Sequence, residues 1–343
     1  MADLAAAGVG ARFDVAVACP SSGELGGAVQ AAGAEWIPLE LRRQPGPWDA
    51  VAVAGLRRVA RGRDVIHLHS SKAGAVGRLA LAGLRHRPAS VFTPHGWSWL
   101  AANRAGSLYR QVERALAPMA DVIIAVSREE EAAGRQALGR GGSRIRLIEN
   151  GVDTDRYRPD GPRAPRSEAP LIVCLGRLSH QKGQDIAVRA LAQMHTPGVR
   201  LRLVGDGPDR GELARLAASL GVAERLELTG EVADPAPHLR AADVVVVPAR
   251  WDGLSLALLE AMGCGAPIVA TRVSGAATLE GAGVLISVDD PPALAAAVDD
   301  LLGDRRRARH LGDEAADRVA RQFTLARSAE RHMELWTELA GRR

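Results

Sequence analysis

Six side chains stand out as able to do chemistry. Asp252 and Glu260 are carboxylates separated by seven residues, and Ser255 stands between them at the head of a short apolar stretch. Arg177 and Lys182 are two cations in the segment Gly176–Gly183, GRLSHQKG. An arginine brings a planar fork and a lysine a point charge, and the pair suits a diphosphate. Only two lysines occur, Lys72 and Lys182, so 42 of the 44 basic residues are arginine and each lysine invites attention. His95 stands in Pro94-His95-Gly96-Trp97, where the neighbouring glycine lets a ligand come close to the backbone.

The elements that must position these groups read as parallel α/β structure. Val244–Val247 is an unbroken β-branched run, as a strand buried on both faces should be. Pro248–Gly253 is a loop, Ser255 takes an N-cap position, and Leu256–Met262 is a short apolar helix that Gly263, Gly265 and Pro267 end. In a parallel sheet this loop lies at the carboxyl end of its strand, where open α/β proteins bind ligands. The free N–H groups of Gly253, Leu254, Ser255 and Leu256 and the positive end of the helix dipole make a seat for phosphate. Leu171–Leu175 is the strand that delivers Arg177 and Lys182, and Ala89–Thr93 is the strand that ends at His95.

The rest of the chain alternates strand and helix at a rhythm that gives two parallel sheets. Asp64–His69 is a strand that feeds Ser70, Ser71 and Lys72 into a helix, a second anion seat. Ser70 and Lys72 are acceptor-side candidates, and Ser71 reads as a helix cap. Trp97 and Trp99 offer an apolar acceptor wall or pack the following helix. Gly205-Asp206-Gly207-Pro208 is a tight turn against which a nucleotide can lie. Asp153-Thr154-Asp155 has the form of a metal-binding triplet, but it follows Asn150-Gly151 in a turn between domains, so no metal is expected there. The layout expected is an N-terminal domain at 1–160, a proline-rich linker at 161–170, a second domain at 171–323 and a final helix at 324–343. A basic loop is expected at 41–46.

Composition narrows the class. A chain of 343 residues with 47% apolar content suggests two domains with sizeable cores. Residues 1–150 carry 19 Lys+Arg against 13 Asp+Glu, whereas residues 151–343 carry 25 against 27. The basic first part would attract phosphates or an anionic membrane face, or be a solvated arginine-rich surface. Cys19, Cys174 and Cys264 are isolated, with no disulfide or zinc spacing, which implies a reducing cytoplasm. No apolar run approaches the ~18–20 residues of a membrane span, and no signal peptide is visible. Nothing points to nucleic acid as a partner.

The stretch Val244–Gly275, with its acid-x7-acid spacing, resembles the retaining glycosyltransferases of family 4, and so does the GRL-xx-KG segment at Gly176–Gly183. The family's usual first acid is Glu; here it is Asp252, one methylene shorter. The resemblance implies the GT-B fold: two Rossmann-like, doubly wound parallel-sheet domains facing a cleft, with the C-terminal helix, here bearing Trp336, crossing back to the N-terminal domain. It implies that Glu260 holds the nucleotide ribose, that Asp252 and His95 meet the donor sugar, and that Gly205, Gly230, Glu231 and Val232 lie along the nucleotide. Charge develops on a leaving diphosphate, so Arg177, Lys182 and the N–H groups near Leu254–Leu256 would stabilise it, and no metal or other cofactor is required. The acceptor's proton would pass to the leaving phosphate in a front-face attack, with domain closure excluding water. The wording HSSKAG at His69–Gly74 resembles the branch that builds bacterial exopolysaccharides and lipid-linked glycans. Family members open with a strand and a glycine-rich turn that are absent ahead of Met1–Gly10, a difference of roughly 25–30 residues that points to a late start or a natural truncation.

The function expected is therefore transfer of a sugar, with retention, from a UDP- or GDP-sugar to a glycan, lipid-linked or natural-product acceptor, in the cytoplasm and in peripheral contact with the inner membrane face. Two alternatives share parts of this pattern. A nucleotide-sugar 2-epimerase would share the fold and the diphosphate seat and would convert donor without acceptor. A truncated, inactive binder would hold nucleotide without turnover.

Overall fold

The computed structural model describes residues 1–11, 13–42, 46–100 and 106–342. Positions 43–45 of the basic loop expected at 41–46 lie outside the described residues. The chain forms two compact units, Met1–Glu149 with Leu325–Arg343, and Asn150–Thr324.

The division differs from the layout expected. Residues 150–160 belong to the second unit, and the proline-rich segment 161–170 is no free linker. Its backbone is tied down by arginines: Arg240 Nε donates to Pro162 O at 2.8 Å and Arg202 Nη2 to Pro165 O at 2.8 Å. Arg166 in turn donates to Ala241 O at 2.6 Å and pairs with Asp243 at 2.8 Å. Prolines lack the N–H that a helix or ladder needs, so the carbonyls of this irregular segment take arginine N–H donors in place of regular backbone partners.

In the first unit, β1 (Ala16–Cys19) and β2 (Glu35–Pro38) pair in parallel. A separate parallel sheet runs in the order β3 (Val65–His69), β4 (Ala89–Thr93), β5 (Val122–Ala125), β6 (Ile145–Leu147). Arg63, just ahead of β3, links the two sheets by pairing with Asp14 at 3.4 Å and Glu35 at 2.6 Å. Every residue of β4 and β5 is buried, and the strand period of two sends their side chains alternately to two cores. Phe92 and Ile123 pack with Trp97 and Leu138 on one face. Val91 and Ile124 pack on the other with Leu335 and Leu339 of the helix Leu325–Ala340. Arg331 of that helix donates to Leu147 O at 2.7 Å, so the last helix docks on the first unit.

The second unit holds one parallel sheet in the order β12 (Val284–Ile286), β11 (Ile268–Thr271), β10 (Val244–Val247), β7 (Leu171–Leu175), β8 (Arg200–Val204), β9 (Leu226–Gly230). The chain runs outward from β7 through β9, returns to the other side of β7 with β10, and continues to β12. The order therefore reverses between β7 and β10, which makes a ligand crevice at the carboxyl ends of those strands. All four valines of β10 are buried, in keeping with a central strand covered on both faces. Cys19, Cys174 and Cys264 are buried free thiols, and burial pushes the Cys174 and Cys264 thiols up to about 12.

Candidate active site

The second unit gathers four separated segments at the carboxyl ends of its strands. The segment after β7 carries Arg177 and Lys182, the turn after β8 carries Gly205, Gly230-Glu231-Val232 follows β9, and the loop after β10 carries Asp252 to Leu256. The sheet order places β10, β7, β8 and β9 side by side, so these segments are neighbours in space. Gly205 N donates to Gly230 O at 2.9 Å, which closes the β8 and β9 ends against each other. The β7 and β10 loops meet even more closely. Gly183 takes φ +69°, and a Cβ there would collide with the carbonyl oxygen of Pro248.

The β10 loop is held from beneath. Arg250 reaches Asp185 through two bonds of 2.8 and 2.7 Å and Asp289 at 2.7 Å. Gln181 Nε2 donates to Trp251 O at 3.1 Å, and Asn150 Nδ2 donates to Leu254 O at 2.7 Å. Neither Arg250 nor Asn150 is legible as a site residue in the sequence, since a side chain that supports a loop carries no motif of its own.

One pairing revises the roles read from sequence. Lys182 and Asp252 have separate tasks in that reading, yet Lys182 Nζ lies 2.6 Å from Asp252 Oδ2 across the β7/β10 reversal. An ammonium has three donors, so this bond leaves capacity for a phosphate while it fixes the lysine's direction. Asp252 is buried and its other oxygen accepts from Gly253 N at 3.0 Å. Arg177 is exposed at the same strand end.

Ser255 also departs from its expected part. It occupies the N-cap of the helix Leu256–Gly263, but its hydroxyl caps nothing and is buried without a hydrogen-bond partner. A buried hydroxyl beside a helix N-terminus is matched by the oxygen of an anion. One helical turn further, Glu260 receives the Tyr157 hydroxyl: burial, followed by the Glu260 charge, drives that phenol well above its usual range and keeps it a donor. The acidic triplet makes a turn, with Asp153 Oδ1 accepting from Asp155 N at 2.9 Å and Arg156 N at 3.3 Å.

In the first unit the ends of β3 and β4 bring His69, Ser70 and His95 together. Ser70 sits exposed at φ +79° and binds across to Thr93 O at 2.9 Å. His95, at φ +55°, is exposed, and its Nε2 lies 2.9 Å from His69 Nδ1. Two acceptor-side candidates are corrected. Trp97 is fully buried, stacked on Trp99 at 4.4 Å with its indole donating to Glu130 O at 2.8 Å, so it is core and forms no acceptor wall. Lys72 pairs with Asp49 at 2.9 Å, which holds that carboxyl below its usual range and ties two helices together. Glu130 escapes sequence reasoning. In Ser127-x-x-Glu130 it looks like a capping-box acid, but its carboxylate accepts from Gly96 N and Val126 N, both at 2.6 Å.

Four histidines form a column here. His67 lies 4.0 Å from His69 and 5.6 Å from His332, ring centre to ring centre. Burial, reinforced by neighbouring imidazoles, depresses His67 and His69 well below the usual value, and burial also lowers His332. Unfolded histidines titrate near about 6.5, so as pH falls through that value the unfolded chain binds protons that the folded unit refuses. Stability of the first unit is therefore complete above that pH and is lost as pH falls towards the depressed values. Thermal melts across this range should show its transition dropping with acid, and less so in His67→Gln.

Comparison with known proteins then decides the family. Residues 1–156 match the family described as Glycosyltransferase Family 4, and residues 169–304 match Glycosyl transferases group 1. A GDP-mannose-dependent alpha-(1-6)-phosphatidylinositol monomannoside mannosyltransferase of Mycolicibacterium smegmatis is 37% identical over 70% of this chain and 68% of its own length. The chain belongs to glycosyltransferase family 4. This family 4 enzyme is also 33% identical to a D-inositol 3-phosphate glycosyltransferase of Nocardia farcinica, over 80% of this chain and 66% of that protein. Among solved structures, Anabaena Alr3699/HepE in complex with UDP-glucose aligns with a TM-score of 0.84 at 24% identity, covering 98% of this chain and 96% of that one. The fold is GT-B. The family 4 relatives named here are transferases, and the isomerase alternative is set aside.

Proposed function

We propose that this enzyme moves a sugar, with retention and without a metal, from a nucleotide diphosphate sugar to a lipid-linked or other glycan acceptor. The observation that carries the reading is the meeting at the β7/β10 reversal of Lys182, Asp252 and the unpartnered Ser255 hydroxyl, with exposed Arg177 at the β7 end. In this reading Lys182, Arg177 and the N–H groups from Gly253 to Leu256 take the diphosphate as it leaves, so cations and dipoles supply the charge a metal would. Glu260, oriented by Tyr157, takes the ribose. Asp252 and His95 contact the sugar, and Gly205 and Gly230 to Val232 line the nucleotide. The similarity to a GDP-mannose-dependent relative favours a GDP-sugar ahead of a UDP-sugar. Calorimetric titration with GDP, UDP and ADP tests this: one tightly bound nucleotide names the donor class, and no binding by any of them removes the reading. The anomeric configuration of the product then tests retention.

The enzyme also fits a peripheral place on an anionic membrane face, where a lipid-linked acceptor would be met. No described helix is long and apolar enough to cross a membrane. The helix Gly106–Leu116 instead exposes Leu108, Tyr109 and Val112, at 58%, 41% and 41%, beside Arg110 and Arg114. An amphipathic helix of this kind binds in the headgroup plane by apolar insertion and charge. Co-sedimentation with phosphatidylserine vesicles should fall with rising salt, and Leu108→Asp should cut it by about tenfold.

A further inference from the structure

We propose that His69 is a positioning residue for His95, holding its imidazole in one orientation and one tautomer. The inference rests on the reading that His95 contacts the donor sugar. His95 is placed by a backbone that works against it: a non-glycine residue at φ +55° stands in a sparsely populated region, and such a conformation persists only where its surroundings over-determine it. Two contacts do so. The Glu130 carboxylate accepts from the N–H of Gly96 at 2.6 Å and fixes the chain just after His95. His69 fixes the ring, with Nδ1 at 2.9 Å from His95 Nε2 and the two rings 17° from parallel at 5.2 Å.

Between two neutral imidazoles such a bond needs one N–H and one lone pair. Whichever ring donates, Nε2 of His95 is committed to His69, and the tautomers of the two rings are set together. His95 Nδ1 then carries the role opposite to that of its Nε2.

His69 is itself held. It is the last residue of β3, in register with Thr93 at the end of β4, so the sheet ladder fixes its Cα relative to the loop that carries His95. His67, two residues earlier on the same strand face, lies ring to ring with it at 4.0 Å and is anchored by Thr93 Oγ1 at 2.8 Å. Behind His67 stands His332 of the last helix, buried and bonded through Nδ1 to Ser328 O at 2.7 Å. A side chain wedged between a strand ladder and a docked helix has little rotamer freedom to lose when it orients a neighbour.

The test uses the full chain and two replacements: His69→Phe, which keeps ring volume without the nitrogen, and His69→Asn, whose amide reaches the position of Nδ1. Long-range proton–nitrogen spectra of the imidazoles should show His95 as one neutral tautomer in the parent protein and in His69→Asn, and as an averaged mixture in His69→Phe. These spectra need no substrate; an unchanged His95 pattern in His69→Phe overturns the proposal whether or not the sugar-contact reading stands. The second measurement is release of nucleoside diphosphate from GDP-mannose and UDP-glucose. His69→Phe should lower kcat by about 10- to 100-fold with KM for donor within about twofold, and His69→Asn should recover most of the loss. Combined with His95→Ala, His69→Phe should cost nothing further, because both act through one group. Additive losses would overturn the positioning role. A wild-type kcat in His95→Ala would instead remove the sugar-contact reading and leave the spectra to decide the positioning. If His69→Phe melts before it can be assayed, His69→Asn must still keep the single tautomer and near-parent kcat; loss of either sinks the proposal.

Discussion

Lys182→Ala should weaken nucleoside diphosphate binding by about 10- to 100-fold, the range set by losing one hydrogen bond to a charged group. The loss has two parts. The ammonium's own bond to phosphate goes, and Asp252, whose side chain is 12% exposed and whose cation lay at 2.6 Å, is left as an uncompensated negative charge beside the incoming diphosphate. Lys182→Ala combined with Asp252→Asn should therefore bind nucleotide better than Lys182→Ala alone, although it lacks the same lysine. Calorimetry on the four proteins of this cycle reads both parts. Equal affinity across the cycle would remove Lys182 from the diphosphate seat, and a double variant no better than the single would show that Asp252 does not face the ligand.

Glu113→Ala should destabilise the first unit by about 3–5 kcal/mol, a larger effect than any surface change. Arg78 and Glu113 form an ion pair at 2.7 Å with side chains 0% and 5% exposed. Burial raises the Glu113 carboxyl while the arginine opposes that rise, so the pair exists because each charge answers the other. The guanidinium also donates to Gly74 O at 2.8 Å and lies 4.2 Å over the Phe92 ring, which fixes it in place. Truncating the acid strands a buried cation that cannot deprotonate. The melting transition of the first unit should fall by roughly 10 °C in Glu113→Ala. Replacing both residues, Arg78→Met with Glu113→Leu, should recover most of that loss, because the charges are then removed together. A Glu113→Ala melt within about 2 °C of the parent would show that water reaches this pair in solution.

How far the sequence could be read differs between the two units. In the second, the strand Val244–Val247, the Ser255 N-cap position and the Arg177/Lys182 segment lie where local pattern puts them, because each depends on residues within one strand–loop–helix step. What local pattern could not show is partner choice. Lys182 and Asp252 are 70 residues apart, and only the placement of β7 beside β10 makes them a pair. The Ser255 hydroxyl was legible as a cap but not as a buried group lacking one, since that depends on which N–H groups the packed loop leaves within reach. In the first unit, Trp97 looked as ready to line a site as to fill a core. Its indole can be buried because the backbone carbonyl of Glu130, in the helix Arg128–Ala137, accepts its N–H.

The sequence by itself determined the alternation of strand and helix, the family, and the identity of the cations and carboxylates, because these follow from short-range periodicity and spacing. Tertiary structure alone decided the unit boundary at residues 149 and 150, the Lys182–Asp252 and Arg78–Glu113 pairs, and the histidine column behind His95. The physical reason is the same in each case. A side chain's charge and shape are written in its own residue, but its partner is set by strand order, and strand order is fixed by burial summed over the whole sheet.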